Sequence, residues 1–233
     1  MSLVFRSPLL STYKILDRAQ AVACHPHLIK LSRNVAIVDI PKSGSSFIKS
    51  TIISAGLAKA SISSVFPHSA IFSRMSKYST LNHTAVHAFV RDPIERFCSV
   101  VREKLISNSL HPHGWSPYAS ILSTKRYDIK IVNDIVADFV DAPFCHIDKH
   151  LLPQSIFWSP YISLPSFSLH SVESLRQFFS EFGIDPANYA SSAVSLVTDP
   201  ALFSPSHLSS LSLEKLYQFY KSDYVAMRII NDQ

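Results

Sequence analysis

The chain has 233 residues, 22 Lys and Arg against 17 Asp and Glu for a formal net charge of +5, and 47% hydrophobic residues. That apolar share excludes a disordered chain, and the length suffices for a full core. With no dividing linker, the prediction is one domain over residues 1–233, of which 1–33 form a lead-in packed on the core.

The basic residues are spread along the chain, which points to anionic ligands and away from a dedicated nucleic-acid surface; a solvated basic face explains the charge equally simply. In the lead-in, MSLVFRSPLLSTYK is too interrupted for a signal peptide, and no stretch of the chain reaches the length of a membrane span. Cys24, Cys98 and Cys145 lie far apart without CxxC spacing, as free thiols in a reducing compartment do. The expectation is a cytoplasmic protein. His25-Pro26-His27 has no carboxylate or cysteine company and reads as a turn, so no metal is expected.

The first strong element is Asn34 to Phe47, NVAIVDIPKSGSSF. Val35 to Ile40 is apolar except for Asp39, as in a strand buried on both faces of a parallel sheet. Phe47, Ile48, Thr51, Ile52 and Ala55 then fall at helical spacing, and Gly56 can end that helix. A strand, a short loop and a helix aim backbone N–H groups and the positive end of the helix dipole at one spot. Lys42 adds a charge there, and Ser43, Gly44, Ser45 and Ser46 are small enough to let an anion reach the backbone. A plain polar turn is the competing reading. The loop is not a Walker A motif, because Lys42 precedes the first glycine of the chain.

Ser61 to Pro67 offers a short strand, followed by His68. Ala85 to Val90, AVHAFV, is a second buried-strand pattern that runs into RDPIERFCS. Asp92 and Glu95 make a capping box with Pro93 at the first helical position, and Ile94, Phe97, Cys98, Val101 and Leu105 form one apolar stripe. Arg91 thus stands at the carboxyl end of a strand, where open α/β sheets bind ligands, and Ser99 sits off the stripe about two turns on. The two can hold a phosphate by charge and by hydrogen bond; from this segment alone, pairing of Arg91 with Glu95 or Asp92 and a surface Ser99 is the competing reading.

Residues 107–128 read as a loop and Ile131 to Val140 as a helix. Phe144 to Trp158 mixes His146, Lys149, His150 and Gln154 with aromatics, and either borders a ligand or is a surface loop. A strand is expected at Phe167 to Leu169, a helix at Ser171 to Phe182 with Leu175, Phe178, Phe179 and Phe182 on one face, a last helix at Leu213 to Lys221, and then a short tail.

PKSGSSF and VRDPIERFCS together resemble the two nucleotide-binding elements of sulfotransferases that use 3′-phosphoadenosine 5′-phosphosulfate (PAPS). The first resembles the 5′-phosphosulfate loop, with Lys42 as the loop lysine and Ser45 and Ser46 in place of a threonine pair. The second resembles the 3′-phosphate element, with Arg91 and Ser99 eight residues apart. VRDPIERF and the HxxPQ of His150 to Gln154 are closest in wording to the carbohydrate, Golgi-type enzymes, and the final YKSDYVAM is a weaker echo. The resemblance covers Val35 to Val101 best. It implies an α/β fold of the P-loop NTPase type, a central parallel sheet flanked by helices. It also implies PAPS held by Lys42, Ser43, Gly44, Ser45, Ser46, Phe47, Arg91 and Ser99, no metal, and a hydroxyl acceptor, favoured as a glycan.

A general base stands a little over twenty residues before the arginine in such enzymes. Here His68 is 23 residues before Arg91, with the side chain best suited to proton removal near neutral pH. His83 and the strand residue His87 are its rivals. The lysine that cytosolic relatives carry two residues before the base is replaced by Phe66. Two other functions compete: a P-loop nucleotide kinase, with Asp92 as magnesium ligand, and a non-catalytic module that binds nucleotide or glycan.

Overall fold

A computed structural model describes residues 28–57, 72–73, 84–106, 129–140, 150–185 and 199–231. Their centre is a mixed five-stranded sheet in the order β3-β1-β2-β4-β5, built from β1 (Leu28–Ser32), β2 (Val35–Val38), β3 (Phe72–Ser73), β4 (Ala85–Val90) and β5 (Phe167–Ser171). β2, β4 and β5 are parallel, and β1 runs antiparallel to β2 and β3. The fold is α/β. The all-parallel sheet expected from sequence is corrected on one side: Leu28–Ser32, read as lead-in, turns back at Arg33 and Asn34 and pairs with β2.

Helices cover both faces. On one face lie α1 (Ser45–Ser54) and α5 (Leu175–Glu181); on the other lie α2 (Pro93–Val100), α3 (Ile129–Phe139), the single turn α4 (Ser155–Trp158), α6 (Ser210–Phe219) and α7 (Lys221–Asn231). The division follows strand alternation. Ile37 and Phe89 pack with Ile48, Ile52 and Phe179, while Ala36, Val38, Val86, Ala88 and Val90 pack with Phe97, Ile135 and Leu216. Ile37 and Phe89 are 0% and 1% exposed, and burying each side chain is worth roughly 1.5–3 kcal/mol. A near-continuous apolar strand is therefore what the two-sided burial of β2 and β4 requires.

Local signals account for most boundaries. α1 ends where expected: Gly56 takes φ +72°, its N–H bonds the Ile53 carbonyl, and the Leu57 N–H reaches that of Ile52, the paired bonds of a Schellman cap. Asp92 Oδ1 accepts from the Glu95 N–H at 2.9 Å and Pro93 opens α2. Beyond Val100 the helix widens into a π turn, Val101–Ile106. The helix expected at Ser171 begins with a 3-10 turn, Val172–Ser174, and its fourth stripe residue, Phe182, is 42% exposed. Leu213 to Lys221 is not the last helix, because Tyr220 breaks it and the expected tail continues as α7. Of Phe144 to Trp158, Leu151 through Trp158 are all buried, so this part is no surface loop. Ser61 to Pro67 and residues 107–128 lie outside the described residues. Among the described residues, no helix is long and apolar enough to cross a membrane.

Candidate functional site

β2 and β4 are parallel neighbours, so the two segments that follow them emerge at the same end of the sheet. After Ile40, the turn from Pro41 to Gly44 leads into α1. Lys42 adopts φ +65°, a left-handed conformation that costs a non-glycine residue roughly 1–2 kcal/mol. Gly44 has φ +79°, and a Cβ there would lie 2.4 Å from Leu175 Cδ1 and 3.2 Å from Val172 Cγ2. The glycine is required both by its backbone angle and by the close approach of the β5–α5 connection. Gly44 is also the N-cap of α1, which has no side-chain cap and no acidic residue in its first turn. The first-turn N–H groups thus face outward in the arrangement that binds anions.

The side chains of this loop are already engaged. Lys42 Nζ forms an ion pair with Glu103 Oε2 of the π turn. Ser43 is 1% exposed and its Oγ donates to Gln154 Oε1 at 2.5 Å. Ser45 Oγ donates to Asp39 Oδ1 at 2.6 Å, and the other oxygen of Asp39 meets Lys49 Nζ at 2.9 Å. Ser46 is exposed, and Phe47 packs edge-on against Phe179 with centroids 6.1 Å apart. Among the serines expected to grip a 5′ group, Ser46 offers its hydroxyl, whereas the hydroxyls of Ser43 and Ser45 point to protein partners.

The segment after β4 is different. Arg91 is half-buried, and among the described residues its guanidinium has no ion pair with Asp92, Glu95 or any other carboxylate. Ser99 is 7% exposed, so it is not a surface serine, and Glu103 follows four residues later along the same helix. Lys42, by reaching Glu103, arrives on the part of this helix that carries Ser99. Cys98 beside it is buried, and burial, followed by the charge of Glu95, pushes its thiol up to about 12; it is no nucleophile near neutral pH.

Gln154 joins the two segments. Its side chain is fully buried; Oε1 accepts from Ser43 Oγ and from the Arg91 N–H at 2.9 Å, while Nε2 donates to the Arg91 carbonyl at 2.7 Å. Asp223 of α7 fixes it from behind, accepting from the Gln154 N–H and the Ser155 N–H at 2.8 Å each. Burial pushes the Asp223 carboxyl above its ordinary range, and the two N–H bonds oppose that shift. Arg96, also fully buried, donates from Nε to the Pro41 carbonyl at 2.8 Å and from Nη1 to that of Leu152 at 2.7 Å. Sequence reasoning placed Gln154 in a segment that either borders a ligand or is a surface loop, and foresaw none of these bonds. It gave no role to Glu103, Arg96 or Asp223, although the first two lie in the helix it expected after Arg91 and the third in the YKSDYVAM segment.

His68 and His83 lie outside the described residues. His87 does not face the loops. Its Nδ1 lies 3.0 Å from His170 Nε2 on β5, and its ring meets Phe178 of α5 edge-on at 4.9 Å. Burial, then the His170 charge, lowers its pKa to about 4. This is a packing histidine, four residues upstream of Arg91. Among the described residues no three His, Cys, Asp or Glu side chains gather as metal ligands would.

Comparison with family models, with curated proteins and with solved structures gave no match for this chain. Its function is therefore argued from its own residues.

Proposed function

We propose that the chain is a PAPS-dependent sulfotransferase with a P-loop-type fold, moving a sulfuryl group to an acceptor hydroxyl, with a carbohydrate acceptor favoured by resemblance. The observation that carries this reading is that one buried amide, Gln154, binds both the loop of Lys42 and the backbone of Arg91. Two motifs separated by about fifty residues are thus tied to one side chain, which supports a single ligand with anions at both ends.

The residues fit such a ligand. The uncapped start of α1, the Gly44 approach and Lys42 suit a 5′-phosphosulfate, and the Arg91 guanidinium with Ser99 suits a 3′-phosphate. When bound, the cofactor supplies the sulfuryl group on a phosphate leaving group. Transfer would form the bond between the acceptor oxygen and sulfur at the expense of the bond from sulfur to the bridging oxygen, and would leave negative charge on that oxygen. Lys42 and the α1 N–H groups hold that charge, an effect largest where donors are preorganised. For this, Lys42 leaves Glu103. His68, whose role rests on resemblance alone, takes the acceptor proton. Phe47, held against Phe179, forms the wall behind the loop.

Asp92, the magnesium ligand of the kinase reading, already accepts the Glu95 N–H as a helix cap. The test is calorimetric titration with adenosine 3′,5′-bisphosphate in EDTA, alongside ATP with magnesium. Metal-free binding that prefers the bisphosphate is expected. A preference for ATP with magnesium would overturn the proposal in favour of a kinase, and binding of neither would remove the nucleotide site altogether.

A further inference from the structure

Parallel pairing of β4 stops at Val90, which lies opposite Ser171, and pairing with β2 stops at Ala88 opposite Val38. The next peptide groups, those of Arg91, therefore have no ladder partner and need one, because buried main-chain polar groups are almost always bonded. Gln154 meets both: its Oε1 takes the Arg91 N–H and its Nε2 gives to the Arg91 carbonyl. The amide behaves as one added rung of the sheet. Its orientation is dictated, since a flipped amide would set N–H against N–H and oxygen against oxygen.

The second lone pair of Oε1 holds the Ser43 hydroxyl, which fixes the turn between Lys42 and Gly44 to the same atom. Behind the amide, the Gln154 and Ser155 N–H groups are both seated on the Asp223 carboxylate, and Ser155 Oγ lies 2.8 Å from Ser222 Oγ. The clamp is thus rooted in α7, which holds the backbone of the segment while the Gln154 side chain holds the loops.

We infer that Gln154 is a positioning residue that sets the separation between the two anion-holding segments, so that a ligand charged at both ends meets both without rearranging either. The inference rests on the nucleotide reading above. It concerns the coupling of the two ends, which that reading does not specify. A clamp of this kind acts on ligands that bridge the segments. It has little influence on a ligand that touches only one, because preorganisation removes the cost of bringing two sites into register.

The test measures the affinities of adenosine 3′,5′-bisphosphate, adenosine 5′-phosphate and adenosine 3′-phosphate for the wild type, Gln154→Leu and Ser43→Ala. Ser43→Ala cuts only the loop side of the clamp, and so reports even where Gln154→Leu fails to fold. Each variant is expected to weaken the bisphosphate by about tenfold more than it weakens either monophosphate, the worth of one net hydrogen bond. Gln154→Glu adds a pH signature. The new carboxylate faces the Arg91 carbonyl when ionised, but donates to it when protonated. Its bisphosphate affinity relative to wild type should therefore recover between pH 7.5 and 5.5.

Equal weakening of all three nucleotides, or a Gln154→Glu ratio flat with pH, overturns the clamp and leaves the nucleotide site standing. Failure of the wild type to bind the bisphosphate removes the site and the clamp together.

Discussion

The two segments that follow β2 and β4 stand side by side, yet their side chains are in opposite states. In the loop after β2, Lys42 is paired with Glu103, Ser43 with Gln154 and Ser45 with Asp39. After β4, the Arg91 guanidinium has no carboxylate partner among the described residues, and Ser99 is buried one turn before Glu103 on the same helix. Charge alone would not have separated them, since each offers one cation and nearby hydroxyls. The difference teaches that, on the proposed reading, the first segment must exchange an internal anion for an external one, whereas the second has no such exchange to make.

The sharpest way to break the first segment is Gly44→Ala. The left-handed backbone costs roughly 1–2 kcal/mol and displacing Leu175 about 1–3 kcal/mol more. Gly56, with φ +72° and open space around its Cβ position, should lose only the first of these in Gly56→Ala. Denaturant midpoints of the two variants measure the gap, and equal losses would show that the approach of α5 does not constrain the loop. A smaller effect follows from Glu103→Gln, which frees Lys42 without touching the loop. Binding of a 5′-phosphate should tighten about two- to fivefold, the scale of a partly solvated ion pair, while binding of a 3′-phosphate stays constant. An unchanged 5′ affinity would mean that Glu103 does not compete with the ligand.

The smallest effect lies outside both segments and serves as their control. His87 and His170 both have pKa values lowered by burial, that of His87 to about 4. Below about pH 6.5 the unfolded chain takes up protons that the folded chain refuses, so stability present above that pH falls as the pH drops toward 4. Glu181 of α5 acts on both rings in the opposite sense. Melting temperatures across this window should decline for the wild type and decline less for His170→Phe, with nucleotide affinity unaffected. An identical pH profile in the variant would remove the pair as the cause.

The strands and helices nearest the site were legible because their signals are local. Val35 to Val38 and Ala85 to Val90 are apolar enough to be buried on both faces, and Asp92 with Pro93 writes the start of α2 into four residues. The antiparallel β1 was not legible: its inward residues Leu28, Ile29 and Leu31 alternate poorly with Lys30 and Ser32, and its partner is chosen by a two-residue turn. Lys42 stood out as a candidate by its place between a strand and a helix, and Arg91 with Ser99 by resemblance. The grip of Glu103 on Lys42 and the reach of Gln154 across to Ser43 and Arg91 did not stand out, because those contacts span 61 to 111 residues of chain. The Gln154 contacts also depend on Asp223 of α7, which seats the N–H groups of residues 154 and 155.

The central claim is that the two segments hold opposite ends of one ligand. Its most direct test is the affinity of adenosine 5′-phosphate and adenosine 3′-phosphate for Lys42→Ala and Arg91→Ala, in EDTA. The account predicts a crossed pattern: Lys42→Ala weakens the 5′-phosphate and spares the 3′-phosphate, and Arg91→Ala does the reverse, each loss on the order of 10- to 100-fold for one charge-assisted contact. Parallel losses of both nucleotides in either variant would contradict it.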